Sequence, residues 1–140
     1  MSDKVKSVLI IEDEKTLLDM YKTKFETAGY DFFGAATGEI GINMAKKNQP
    51  DLILVDLILA NKLEGGHIDG FNVLEQLKHF ETTKEIPTYA LTNLNQDSDI
   101  RRAVDIGADG FLVKSDITPK QLLENAELIL SGKHVGLTVD

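Results

Sequence analysis

A chain of 140 residues is long enough to bury one continuous core without disulfides or a structural metal, and a single domain is expected over 1–140, with its core at about 5–131 and a C-terminal tail at 132–140. Apolar residues make up 42%, no run of them approaches the roughly 18 that cross a membrane, and the absence of cysteine excludes disulfides, thiolate metal sites and thiol nucleophiles. Fifteen basic against twenty-three acidic residues leave a formal charge of −8, which argues against direct binding along a nucleic-acid backbone.

Apolar runs at strand spacing alternate with segments at helical spacing. The N-terminal MSDKVKS has no apolar signal segment behind its charges, so a cytoplasmic location is expected. The first strand is predicted at Val5 to Ile11. A helix from about Glu14 to Ala28 follows, with Leu17, Leu18, Tyr21 and Phe25 on one face and Gly29 closing it. Tyr30 to Ala36 reads as the second strand, and Thr37 as the N-cap of a helix ending near Lys47. Strand three, Asp51 to Val55 or Asp56, is nearly all apolar, as expected of a parallel strand covered on both faces. A long loop leads to a third helix at about Phe71 to His79. Pro87 to Leu91 is the fourth strand, Asp97 to Ile106 the fourth helix, and Gly110 to Lys114 the fifth strand. Thr118-Pro119-Lys120-Gln121 combines an N-cap, a first-turn proline and a capping-box glutamine at the start of the last helix. The tail either frays or docks Val135 to Val139 on a neighbour. Strict alternation predicts an α/β fold: a (βα)5 doubly wound parallel sheet in the flavodoxin-like order 2-1-3-4-5.

In such a sheet, ligands bind beyond the carboxyl ends of the strands. Strand one delivers Glu12 and Asp13 there, strand three Asp56, strand four Thr92 and Asn93, and strand five Lys114. Clustered carboxylates repel one another unless a cation neutralises them, and magnesium suits oxygen ligands of this kind. A carboxylate beside that ion is a nucleophile for phosphorus, while a hydroxyl and an ammonium suit the phosphoryl oxygens. Taken singly, each residue has a plainer reading. Glu12-Asp13 also suits a helix start, Thr92 a cap or turn, and Lys114 a solvated surface. Their convergence on one rim favours the phosphoacceptor chemistry.

The motifs carry a family resemblance across about Val5 to Leu130. VLIIEDE resembles the first strand and acidic pair of response-regulator receiver domains in two-component signalling, and PDLILVD their phosphoacceptor strand. YDFFGAATGEIGINMA resembles the second strand and helix, PTYALTN the Thr motif and GADGFLVK the Lys motif. The resemblance implies that Asp56 accepts a phosphoryl group and that Glu12, Asp13, Asp56 and the Ile58 backbone carbonyl bind Mg2+, with Mn2+ as a substitute. It further implies that Thr92 and Lys114 bind the phosphoryl group, and that Thr92 and Phe111 act as switch residues, although Phe111 reads equally well as core. The implied donor is a histidine kinase or histidine phosphotransfer protein, docking over Lys15, Thr16, Asp19, Met20 and Ile117. Output would pass to a downstream protein, from a monomer or a phosphorylation-dependent dimer, without membrane or direct nucleic-acid contact.

Two competing functions are a receiver-like scaffold that is never phosphorylated and a phosphatase of the haloacid-dehalogenase type. The scaffold usually lacks one of the acids, the threonine or the lysine, all present here. The phosphatase places an acid two residues after its nucleophile, where this chain has Ile58. Nucleotide-binding glycine motifs are absent, and His67, His79 and His134 show no ligand or triad spacing. Several positions depart from the family pattern. Glu12 stands for the more frequent Asp, Ala60 for Pro, Asn93 for a smaller residue and Ser115 for Pro, so a trans Lys114–Ser115 bond is expected. The loop ANKLEGGHI is longer than usual, overhangs the rim and carries Lys62, Glu64 and His67, which either modulate access or belong to a tolerated insertion.

Overall fold

The computed structural model describes residues 5–59, 69–94 and 96–136. Lys62, Glu64 and His67 lie outside them, as do the tail positions 137–140. The described elements are β1 (Ser7–Ile11), α1 (Lys15–Thr27), β2 (Asp31–Ala35), α2 (Gly38–Asn48), β3 (Leu52–Val55), α3 (Gly70–His79), β4 (Thr88–Thr92), α4 (Asp97–Ile106), β5 (Gly110–Val113), a 3-10 turn (Lys114–Asp116) and α5 (Pro119–Leu130). The strands pair in parallel in the order β2-β1-β3-β4-β5. This is the doubly wound α/β architecture expected from the alternation of strand and helix patterns.

Alternation along each strand divides the core in two. Leu9, Ile11, Ile53, Val55, Ala90, Phe111 and Val113 face α2, α3 and α4, where they meet Ile42, Leu74, Leu77 and Ala103. Val8, Ile10, Leu52, Leu54, Tyr89, Leu91 and Leu112 face α1 and α5, against Tyr21, Phe25, Leu122 and Ala126. Every residue of β3 is buried, which explains its unbroken apolar sequence.

Side-chain caps set three helix starts. Thr37 accepts from the Ile40 N–H at 3.1 Å and Asp69 from the Asn72 N–H at 2.8 Å. Thr118 and Gln121 form the reciprocal capping box at 3.1 and 2.9 Å, and losing such a cap costs about 1 kcal/mol. α3 begins one residue earlier than expected, at Gly70, because Asp69 supplies the cap. A Cβ at Gly70 would collide with the Asp56 carbonyl oxygen and Leu57 Cα, so glycine lets α3 abut the end of β3.

Several strand bounds differ from those expected: β1 begins at Ser7 rather than Val5, β2 spans Asp31–Ala35 rather than Tyr30 to Ala36, β3 begins at Leu52 rather than Asp51, and β4 begins at Thr88 rather than Pro87. β4 continues through Thr92, and β5 stops at Val113, so that Lys114 opens the 3-10 turn. The Lys114–Ser115 peptide is trans, as expected. The tail docks on its own chain as far as it is described: Val135 packs on the α1/α5 core, and His134 Nε2 lies 3.2 Å from the Asp109 carbonyl oxygen. His79 and His134 are exposed.

Candidate functional site

The strand ladders run one residue past β1 and β3. The Glu12 N–H donates to the Ala35 carbonyl at 2.9 Å and the Asp56 N–H to the Ile11 carbonyl at 3.0 Å. That register sets Glu12 and Asp56 side by side at the carboxyl rim. One carboxylate oxygen each from Glu12, Asp13 and Asp56 falls within 4.8 Å of the others. Glu12 is only 1% and Asp56 only 4% exposed, so two acids are buried together.

Lys114 answers that charge. Its Nζ donates to Glu12 Oε1 at 2.6 Å and to Asp56 Oδ2 at 2.9 Å. The other oxygen of each acid accepts from backbone: Glu12 Oε2 from the Glu14 N–H and Asp56 Oδ1 from the Ile58 N–H, both at 3.0 Å. Burial, the largest influence, pushes the Glu12 carboxyl above the ordinary glutamate range. The Lys114 and Glu14 hydrogen bonds pull it back only in part, and the Asp56 charge adds to the rise. Burial by itself would lower the Lys114 pKa. Its hydrogen bonds to Glu12 and Asp56, with their charges, outweigh burial and hold the ammonium protonated above the ordinary lysine range. Below the site, burial pushes the Tyr21 hydroxyl up to about 12, and the charges of Lys114, Glu12 and Asp56 reach it.

These groups line an open cavity of about 320 Å³ bounded by Glu12, Asp13, Glu14, Asp56, Ile58, Asn93 and Lys114. The donor set fits a hard divalent cation: three carboxylates offer oxygen ligands, and a carboxylate oxygen of Glu12 or Asp56 that accepts a hydrogen bond keeps a further lone pair for a cation. A larger groove of about 690 Å³ lies between α1 and the start of α5, but its lining includes no cluster of acids around a cation. Chemistry rather than size identifies the smaller cavity as the site.

Of the other expected site residues, Thr92 is fully buried at the end of β4, and its Oγ1 accepts a long 3.4 Å bond from the Leu94 N–H. Phe111 is fully buried in the core under α2, α3 and α4. The Ile58 side chain is 52% exposed at the cavity wall. Lys15, Thr16, Asp19 and Met20 are exposed on α1, whereas Ile117 is half-buried against the α1/α5 core. The bonds of Lys114 to Glu12 and Asp56, and a 2.9 Å bond from the Ser115 N–H to Asn93 Oδ1, were not read from the sequence. The acidic pair and the lysine were each visible. No local pattern joins residues so far apart.

A doubly wound sheet with three acids and a lysine on its carboxyl rim defines a receiver-type signalling domain. The chain matches the response regulator receiver domain over residues 8–127 and belongs to that family, whose members act in two-component signalling as phosphorylation switches and interact with histidine kinases. It is 39% identical over 107 residues to the DNA-binding dual master transcriptional regulator RpaA of Synechocystis sp., a match covering 76% of this chain and 42% of that protein. The chain spans less than half the length of the curated relatives it matches. Among solved structures, it is similar to a putative response regulator from Chloroflexus aurantiacus, with 28% identity, a TM-score of 0.77 and coverage of 91% of this chain and 99% of that one. A CheY-like receiver domain protein from Methanospirillum hungatei shares the fold, with a TM-score of 0.79, 24% identity and coverage of 91% and 95%.

Proposed function

We propose that Asp56 accepts a phosphoryl group from a phosphohistidine on a histidine kinase or histidine phosphotransfer protein, and that the chain signals by changing its affinity for a downstream protein. In the transfer, an Asp56 carboxylate oxygen forms the new O–P bond as the P–N bond to the donor imidazole breaks. The bonding electrons return to that nitrogen. The observation that carries this reading is the position of Asp56, buried at the cavity beside two further acids, with its oxygens oriented by the Ile58 N–H and the Lys114 ammonium.

Glu12, Asp13, Asp56 and the Ile58 carbonyl would hold Mg2+, or Mn2+ in its place; the bound ion neutralises the acids and the incoming phosphoryl oxygens. Lys114 exchanges a carboxylate partner for a phosphoryl oxygen, and the Thr92 hydroxyl supplies a second donor. Those new partnerships are the differential interaction that a shift between two states of the α4-β5-α5 face requires, with Phe111 beneath it as the aromatic switch position. The phosphodonor docks on exposed Lys15, Thr16, Asp19 and Met20. The edge of Ile117 completes that surface, while the rest of its side chain anchors the turn before α5.

The unit proposed to act is one receiver domain over 1–140, as a monomer or a phosphorylation-dependent dimer. Its charge of −8 favours protein partners over direct DNA contact. Intact-mass spectrometry after incubation with acetyl phosphate and Mg2+ tests the central step. One added phosphoryl group is expected on the wild type and none on Asp56→Asn. Labelling of Asp56→Asn, or an unlabelled wild type under conditions that label a control receiver, overturns the assignment.

A further inference from the structure

The Asn93 side chain joins the loops after β4 and β5. Asn93 Oδ1 accepts a 2.9 Å hydrogen bond from the Ser115 N–H. Asn93 directly follows Thr92, and Ser115 directly follows Lys114. The bond therefore connects the immediate neighbours of the two proposed phosphoryl-binding groups. Ser115 lies in the 3-10 turn Lys114–Asp116, whose first N–H groups have no acceptor within the turn. Asn93 satisfies one of them. Because the Ser115 backbone nitrogen is a donor, the acceptor must be the amide oxygen, which sets the orientation of the Asn93 amide. Asn93 also lines the acidic cavity.

The Lys114 ammonium is carried on a long, flexible side chain, so where it can reach is governed by the backbone that carries it. Its side chain is held at one end by Glu12 and Asp56. At the other end, the turn bearing Lys114 is tied to β4 through Asn93. A proline at position 115 would have no N–H to donate. Serine at 115 and an acceptor at 93 thus form a matched pair.

We propose that Asn93 is a positioning residue for phosphoryl transfer: by binding the Ser115 N–H, it holds the Lys114 turn against the end of β4 and fixes Lys114 relative to Thr92. The inference rests on the reading of Asp56 as phosphoacceptor. It sets a sign that a merely obstructive side chain would reverse. If Asn93 only narrowed the cavity mouth, its truncation would admit the donor faster; as a positioning residue, its truncation slows transfer.

The test combines acetyl-phosphate labelling rates at saturating Mg2+ with amide hydrogen exchange at Ser115. Asn93→Ala is expected to slow labelling by about three- to tenfold, the effect of one neutral hydrogen bond, and to speed exchange of the Ser115 amide. Asn93→Asp keeps an acceptor oxygen, so it should retain protection of that amide and label faster than Asn93→Ala. The proposal is overturned if Asn93→Ala labels at or above the wild-type rate, if it slows labelling with Ser115 exchange unchanged, or if Asn93→Asp is as slow as Asn93→Ala. An unlabelled wild type defeats the phosphoacceptor reading and the positioning role with it. A labelled wild type with any of the three adverse results defeats the positioning role alone.

Discussion

The Lys114 ammonium lies 2.6 Å from Glu12 Oε1 and ties together residues 102 positions apart in sequence. The same ammonium reaches Asp56, so one cation offsets the charge of two buried acids. In a low-dielectric site, removing one partner from a buried pair costs more than the pair contributes, because the remaining charge stays desolvated.

Lys114→Met therefore should destabilise the metal-free protein at pH 7 by roughly 3 kcal/mol, since it leaves Glu12 and Asp56 facing each other without a cation. Magnesium should restore more stability to this variant than to the wild type, because binding relieves the same repulsion and stabilises the native state by mass action. Thermal melts with and without Mg2+ measure both effects. Asp13→Asn serves as the control and should show little magnesium-dependent shift. An equal shift in wild type and Lys114→Met would separate the lysine from the metal site.

Glu12 gives the acid-side dependence its sign. Its folded-state pKa is raised above 4.5, chiefly by burial, so the native chain binds that proton more tightly than the unfolded chain. The stabilising contribution is fully present below 4.5 and is lost as pH rises through the native value. At pH 7 in EDTA, Glu12→Gln should consequently melt higher than the wild type, with the gap closing as pH falls toward 4.5. A lower melting point for Glu12→Gln at pH 7 would show that the ion pair with Lys114 outweighs the burial of the acid.

Gly70 controls the site from behind. A side chain there meets the backbone of Asp56 and Leu57 rather than a flexible group that can swing aside. Gly70→Ala should cost about 1–3 kcal/mol by overpacking and should also slow phosphorylation, because the displaced backbone carries Asp56, the proposed phosphoacceptor. Urea denaturation and labelling rates read the two effects. Loss of stability with an unchanged labelling rate would mean that α3 moves and Asp56 does not.

Much of this fold was legible because its cues are local. The apolar LILV of β3 reports burial on both faces, and Thr118 to Gln121 spells out a helix start. The rim residues followed from topology, since strand ends in a parallel sheet share one edge. What remained hidden was long-range or marginal. Thr92 extends β4 because its backbone finds a partner in Val113 on β5, a register that no local pattern encodes. Lys114 leaves the strand although KSD contains neither Gly nor Pro to mark a turn. Asn93 and Ser115 were each recognisable as departures from the family pattern, but no local pattern pairs residues 22 positions apart. Phe111 illustrates a different limit, since complete burial suits a core residue and a resting switch equally well.

The lifetime of an aspartyl phosphate at Asp56 depends on the access of water to phosphorus. Hydrolysis needs a water in line with phosphorus, and Ile58, two residues past Asp56, lines the cavity through which such a water would enter. Ile58 is 52% exposed at the cavity wall and has no polar atom with which to orient such a water. Leu94, the apolar residue two positions past Thr92, packs instead against the core, so changing it would mix lifetime with stability. Ile58 is accordingly the cleaner probe. Its backbone N–H orients Asp56 and is retained in any substitution there except proline. Ile58→Asn should shorten the lifetime of the phosphorylated protein by about threefold to tenfold, the effect of one new hydrogen bond to the attacking water. Ile58→Leu, apolar and of similar volume, should leave it close to the wild type. The decay is followed by intact mass after removal of acetyl phosphate, with Mg2+ held constant. Equal acceleration in Ile58→Asn and Ile58→Leu would assign the effect to altered packing at the cavity mouth. An unchanged lifetime in both would show that water reaches phosphorus by a path this side chain does not border.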